Sequence, residues 1–519
     1  MARQDPISLG DLPSELISHV LSYLSALDLV SMSLTNHLLR VHSLADHLWQ
    51  RIVQAQLHGV KLTTPGPCAS FRELYIAHDP RWFLTRYKVW FCDRDLTGKL
   101  VIVRYDERRG VIEGYQLLAH RPISSSTSTI TSTSHQGFSE HDELVIHEFE
   151  PELKLHLDKP VLQLRAEPPS TSGPSTFSSA VDHASTGVPG HVNKFSIETP
   201  MPLDNRFTDN TFNTFTLARS LPDSLAKERQ QLPFPYGNTW PPPAVPAATR
   251  VSAGNLIGPE DGPTSRSEIN EKVFRIRSWI QMRSAGPRGA SMGWIGTYLP
   301  LGNVWPSNNA VFGQASRAWS SSNIPGTHAS TSTHIGDQIT TYSTLDPELY
   351  TPDTSQPWKG IWVGDYSAHG CEFLLITQNH PTPFDEAAFD ATRTQEESDT
   401  DFQKRKTDAR RYRGRLEAIK LTGDMANSCQ PNVPRGESTF VAEDLGEDGF
   451  VTTIDDEPFR GARVVKSKGH VAQTGFVNDN YVRSQLLIIS EKRLAQYWVG
   501  FGHVSFFEKV DIEQFLVPD

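Results

Sequence analysis

An α+β chain is predicted: a three-helix module at the N-terminus, followed by a mainly antiparallel β-barrel interrupted by long disordered insertions. Three observations predict it. Apolar residues recur at helical spacing through residues 8–55, and the period drops to two beyond Tyr87. Stretches rich in Pro, Ser and Thr then cut the remaining chain into short strand-like pieces.

Composition narrows the class. Ordinary domain sizes would give 519 residues about three or four domains. With 37% hydrophobic residues, 36 Pro and 35 Gly, however, a large share of the chain is expected to stay outside any core. Acidic residues exceed basic ones, 60 against 49, so broad binding to nucleic acid or anionic membranes is not expected. Cys68, Cys92, Cys371 and Cys429 show no metal spacing and read as inert thiols of a reducing compartment. The first residues, MARQDPISLGD, have no apolar core of a signal peptide, and no apolar run approaches the roughly 18–20 residues of a membrane span. A soluble intracellular protein, cytoplasmic or nuclear or both, is expected.

The first helix is LPSELISHVLSYL, Leu12 to Leu24. Leu12, Leu16 and Val20 fall on one side, and Pro13, Ile17, Leu21 and Leu24 on the next. That stripe is too wide for a helix with a single partner. SALD, Ser25 to Asp28, is a capping-box-like start for a second helix. Helical spacing continues through Leu38, Val41, Leu44, Leu48, Trp49 and Ile52, and SFRELYIAH (70–78) predicts one helix more.

In order, Leu12-Pro13, Glu15, Ile17–Leu24, Asp28-Leu29, Leu34 and Leu48-Trp49 resemble the F-box. Ser25 replaces the usual proline after the first helix, and LTNHLLR stands where the family has a different segment. The resemblance implies a Skp-family adaptor as partner, with a cullin beyond it. It places Leu12, Pro13, Leu16, Ile17, Val20, Leu21, Leu24, Leu29 and Trp49 at the contact. The plainer reading of the same residues is a three-helix cap on the barrel.

YKVWFCDRD, GKLVIVRYDE and GVIEGYQLLAH predict three strands, the last two joined at Arg108–Gly110. ELVIHEF, LKLHL and PVLQLR add short ones, limited by Pro151 and Pro160. EKVFRIRSWIQM (271–282) is a further strand, and eight more crowd the stretch from GIWVGDY to VSFFEKVDI. A closed barrel protects the edges of so long a meander. The expected organisation is F-box 8–55, helical linker 56–85, first barrel part 86–167, low-complexity insertion 168–270, barrel strands 271–305, disordered insertion 306–357, barrel 358–377, charged insertion 378–411 and C-terminal barrel strands 412–517.

GIWVGDYSAHGCEFLLI, KLTGDMANSCQPNVPRGESTF and the strands from GHVAQTGF onward resemble the F-box only protein 31 family. There a β-barrel after the F-box holds a protein substrate for degradation. From the residues themselves, small residues beside carboxylates at strand ends suggest a binding mouth. It would be formed by Asp365, Tyr366, Thr422, Gly423 and Asp424, walled by Trp362 and Trp498. Turn chemistry explains each Asp, and core packing each aromatic, equally well.

Catalytic readings find little. Asp365, Ser367 and His369 lie along one strand rather than converging from separate elements, and no G-x-S-x-G elbow accompanies them. No zinc spacing, Walker loop or dinucleotide loop occurs, so no metal and no cofactor is expected. KRKTDARRYRGR (404–415) reads as a solvated linker or a nuclear-import signal. The sequence therefore points to a non-catalytic substrate receptor of an SCF-type (Skp–cullin–F-box) ubiquitin ligase. Alternatives are a barrel that binds a small apolar ligand, and an F-box scaffold acting outside ubiquitination.

Overall fold

The computed structural model describes residues 9, 12–93, 98–120, 127–129, 145–147, 149–166, 195, 198–204, 211–230, 238–283, 332–365, 370–423, 437–473 and 477–518. Helices come first: α1 (Ser14–Leu21), α2 (Ala26–Ser33), α3 (His37–Ser43), α4 (Asp46–Gln54), α5 (Phe71–His78) and α6 (Phe83–Tyr87). Ser25 caps α2 by accepting from the Asp28 amide at 3.2 Å, as its spacing predicts. The expected third helix is two. Asn36 caps α3 by accepting from the Leu39 amide at 2.8 Å, and Ala45 leaves helical backbone (ψ 125°) before α4 begins.

Among the described residues, twenty-two strands follow in two large sheets and one small one. The open sheet uses β1 (Val89–Cys92), β2 (Leu100–Asp106) and β3 (Val111–His120). After β4 (Thr127–Thr129) and β5 (Val145–His147) it adds β6 (Glu152–Leu155), β7 (Leu162–Arg165), β8 (Thr199–Pro200) and β9 (Thr211–Arg219). Helix α7 (Asp223–Arg229) and the small β10 (Thr239–Trp240)–β11 (Val251–Ser252) pair lead to β12 (Ile269–Arg283) and β13 (Ser332–Thr344). The order across this sheet is β6-β3-β2-β1-β13-β12-β9-β8, with β7 also on β3.

Helix α8 (Pro347–Tyr350) precedes β14 (Gly360–Asp365) and β15 (Cys371–Asn379). Helices α9 (Glu386–Asp390) and α10 (Asp399–Arg411) come next, then β16 (Arg415–Lys420), β17 (Ser438–Ala442), β18 (Phe450–Thr453), β19 (Arg463–Gln473), β20 (Val477–Ile488), β21 (Arg493–Trp498) and β22 (His503–Lys509). Eight of these strands pair in the order β14-β15-β16-β17-β19-β20-β21-β22, and β22 returns to β14 through Trp362↔Lys509 and Gly364↔Phe507. The result is a closed eight-stranded antiparallel barrel: the patterning predicts a barrel, and the β22–β14 pairing closes it.

Three expectations are corrected. Within 86–167 only β4 and β5 join the barrel's sheet, β5 pairing with β22 outside the closed ring (His503↔Val145). The other described strands of 86–167 and of 271–305 belong to the open sheet, because β13 pairs with β1 (Trp90↔Thr344) while the barrel closes on itself. Within 306–357, expected to be disordered, the described part contains β13 and α8. Its Ser and Thr residues hide a strand: Thr340, Thr341, Ser343 and Thr344 are all buried between β12 and β1. Likewise β9 and α7 lie in 168–270, and the charged insertion 378–411 holds the α9–α10 hairpin.

The open sheet is covered on both faces. One face packs Trp90, Val101, Val103, Phe274 and Tyr342 into the same core as Ile17, Leu21, Leu48, Trp49, Trp82 and Phe83 of the helices. The other packs Phe91, Ile102 and Val273 against Ile361, Val363, Phe373 and Tyr497 of the barrel wall. The helices therefore cap the sheet, not the barrel.

Candidate functional site

Two surfaces emerge. The first lies on α1–α3, where burial divides the predicted contact residues in two. Ile17, Leu21, Leu29 and Trp49 are almost fully buried in the helical core, with the Trp49 indole N–H donating to Ser43 O at 2.9 Å. Leu12 and Leu24 are half-buried against that core, and Pro13 is exposed just ahead of α1. Leu16 (50% exposed) and Val20 (43%) point outward. They are joined by residues the motif did not single out for contact: Leu27 on α2, Leu34 (77%) just beyond it, and Leu38 and Val41 (58%) on α3. Ser18 Oγ and His42 Nδ1, 3.4 Å apart, tie α1 to α3. The result is an apolar face across three short helices whose own cores are already filled. Exposed apolar area of this kind marks interaction sites. Helical spacing carries a signal for it: Leu27, Leu34, Leu38 and Val41 sit opposite the buried Ala26, Leu29 and Leu39.

The second surface is one end of the barrel. Register sorts the strands into an inward set (Trp362, Leu374, Leu416, Phe440, Val465, Leu486, Leu494 and Phe507, one core of their own) and an outward set facing the open sheet. Aromatic rings plug the end where β14 begins. Trp358 and Tyr412 meet there with ring centroids 5.2 Å apart, and the Trp362 indole N–H donates to Trp358 O at 2.9 Å. Trp362 is thus part of the plug and does not wall the mouth. Lys509 Nζ donates to Pro357 O at 2.7 Å beneath it, and burial, then the Lys492 charge, pushes this amine down to about 8.

The opposite end is lined by polar groups that the sequence reading missed. Glu372 and Lys420 form a buried ion pair at 2.7 Å, their side chains 2% and 4% exposed. Ser467 and Ser484 hydroxyls lie 2.7 Å apart, and the Gln496 amide donates to Ser484 at 3.1 Å. Trp498 closes this layer, its indole N–H donating to Ser505 at 3.1 Å. It fits only because residue 469 is glycine, since a Cβ there would overlap its ring. A buried ion pair in a barrel is costly to desolvate. A charge at an inward position of two neighbouring strands (Glu372 in CEFLLIT, Lys420 in RLEAIK) was its sequence signal.

Of the predicted mouth residues, Asp365, Thr422, Gly423 and Trp498 do gather at this end. Thr422 Oγ1 accepts from the Phe373 amide at 2.9 Å and is structural in that role. Asp365 stands in the outward set beside Cys371 and Phe506 and turns away from the lumen, because its register partners do. Tyr366 and Asp424, with Ser367 and His369, lie outside the described residues. At the rim, the turn after β21 exposes Val499 and Phe501 (63%), the Phe501 ring 6.3 Å from Trp498. Nearby, Glu437 has its carboxyl raised by burial, although the His470 ring opposes this.

The basic stretch 404–415 lies on α10 and the turn after it, largely neutralised: Arg405 pairs with Glu397, Lys406 with Glu386 and Asp390, Arg410 with Glu386, and Arg411 with Glu491. Two shallow hollows of about 150 and 250 Å³ lie on the open sheet and at its junction with α8, apart from both surfaces. Among the described residues, no group of three His, Cys, Asp or Glu side chains could hold a metal ion, and no helix is long and apolar enough to cross a membrane.

Comparison with known proteins gives matches over both surfaces. A family model described as F-box-like matches residues 9–55, which contain α1–α4, and one described as Cyclin D1 binding domain matches 342–514, which contains the barrel. Among curated proteins, Protein EXECUTER 2, chloroplastic, of Oryza sativa subsp. japonica is 28% identical over 167 residues. That match covers 31% of this chain and only 22% of the rice protein.

Proposed function

From the premise that this chain joins an N-terminal F-box-like domain to a C-terminal cyclin D1 binding domain, the two defining domains of the F-box only protein 31 family, we propose that it is a non-catalytic substrate receptor of an SCF-type ubiquitin ligase. The observation that carries the reading is the exposed apolar face of Leu16, Val20, Leu34 and Val41 on a module already well packed. A Skp-family adaptor would bury that face and bring the cullin with it. Fully burying a Leu or Val side chain in such a groove contributes about 1.5–3 kcal/mol.

The substrate is a protein segment received at the Trp498 end of the barrel, against the exposed Val499 and Phe501 of the turn after β21. The description of the matching C-terminal model makes cyclin D1 the first substrate to test. The small-ligand alternative loses support because side chains fill the lumen, from the Trp362 plug to the Gln496 and Trp498 layer. Such a receptor acts in the cytoplasm, the nucleus or both, without a cofactor and without binding nucleic acid or a membrane.

The test is capture of purified adaptor and cullin by the full chain and by a Leu16→Asp/Val41→Asp variant. Binding of both proteins by the wild type, lost in a variant with an unchanged melting curve, supports the receptor. A folded, monodisperse wild type that binds no adaptor sinks it.

A further inference from the structure

We propose that residues 510–518, which follow the last barrel strand, are a positioning element that fixes the barrel mouth relative to the adaptor-binding helices; its consequence for ubiquitin transfer rests on the receptor reading above. The segment touches three parts of the molecule within a few residues. It leaves β22 with the Val510 amide donating to Ile361 O of β14 at 2.8 Å, so its root is barrel. Ile512 and Leu516 then bury themselves in the core shared by barrel wall and open sheet.

Beyond that point the partners are no longer barrel. Arg104 of β2, itself buried, donates from Nη1 to Phe515 O at 3.4 Å and Val517 O at 3.2 Å. Its Nε is held at 2.9 Å by Glu113, which aims the guanidinium at the two carbonyls. Lys88, between α6 and β1, pairs with Glu513. Leu516 also rests on Gly59, in the linker after α4. Gly59 has left-handed backbone (φ +73°), and a side chain there would crowd both Leu516 and Val517.

One strap therefore ties the barrel's closing strand to the sheet and to the linker behind the F-box-like helices. Ubiquitin transfer depends on how often a substrate lysine occupies the reactive position. A stiff connection between the docking face and the mouth concentrates the lysine there, and a loose one dilutes it. The strap acts on neither binding surface directly. Its release is expected to change transfer while leaving adaptor and substrate affinity alone.

The experiment uses the full chain with Leu516→Asp, which places a charge in the buried contact. Spin labels at Arg40 on α3 and at the exposed Lys468 on β19, off the mouth, report the distance distribution. Release broadens that distribution, and transfer to cyclin D1 at saturating substrate falls about tenfold. An unchanged distribution, or unchanged transfer with a broadened one, overturns the proposal. Should Leu516→Asp fail to fold, Arg104→Lys takes its place: it keeps the charge beside Glu113 but cannot reach both carbonyls, and the same two readouts decide. A wild type that binds no adaptor defeats the receptor reading alone, since the label distances still report whether the strap couples the two parts.

Discussion

Single residues carry opposite roles within one helix turn on α1. Ile17 and Leu16 are neighbours of similar chemistry, yet one is 1% exposed and the other 50%. Ile17→Ala should therefore lower unfolding free energy by about 2–5 kcal/mol, read by denaturant titration. Leu34→Asp should leave that titration unchanged and weaken adaptor binding at least tenfold, about 1.4 kcal/mol. In the barrel, Gly469→Ala forces the Trp498 ring aside and should cost about 1–3 kcal/mol; a variant as stable as wild type would mean the ring has room to move. His78 provides a pH signature. Burial, then the Arg81 charge, pushes it from 6.5 to about 3 against the opposing bond to Gly110 O. The unfolded chain binds the proton first, so this residue contributes stability above pH 6.5 that is lost progressively as the pH falls toward 3. His78→Gln should show a shallower loss of stability over that window than wild type.

At the scale of elements, local signals were legible wherever chemistry is local. The Ser25 cap, the α5 helix and all eight closing barrel strands stand where the sequence pattern puts them. What escaped were elements whose burial comes from distant partners. Strand β13 reads as polar low complexity, because its Ser and Thr residues are buried only once β1 and β12 flank it. The α9–α10 hairpin reads as a charge run, yet it folds around Phe389 and Phe402, with Arg405 lying 4.8 Å from one ring centroid and 5.5 Å from the other. Phe402→Ala should open this hairpin to limited proteolysis while barrel tryptophan fluorescence holds. Glu396→Gln, at an exposed position, should leave the cleavage pattern unchanged. Cleavage that spreads into β15 or β16 would mean the hairpin is part of the barrel's own stability.

For the whole molecule, the decisive feature is that one core runs from Ile17 through Trp49 and Trp82 to Trp90 and Phe274 of the sheet. A chain lacking residues 1–60 would uncover that sheet face, and it should aggregate or elute as an oligomer in size-exclusion chromatography. Surface substitutions are therefore the cleaner test of adaptor binding than truncation; a monomeric, cooperatively folding truncation would show the core to be two. By itself, the order of apolar, capping and turn residues determined the helical module and the C-terminal strands that build the barrel, because each depends on spacing along the chain. Of the strand-end residues it singled out, register brings Thr422, Gly423 and Trp498 to one end of the barrel. Only the tertiary structure decided which leucines of α1–α3 are core and which are surface, and that β1–β3 join β12 and β13 in a separate sheet. It alone moved Trp362 into the plug, turned Asp365 outward and paired Glu372 with Lys420. The reason is physical. Spacing fixes which side of an element a residue takes, but whether that side meets solvent, another sheet or a lumen depends on partners tens to hundreds of residues away.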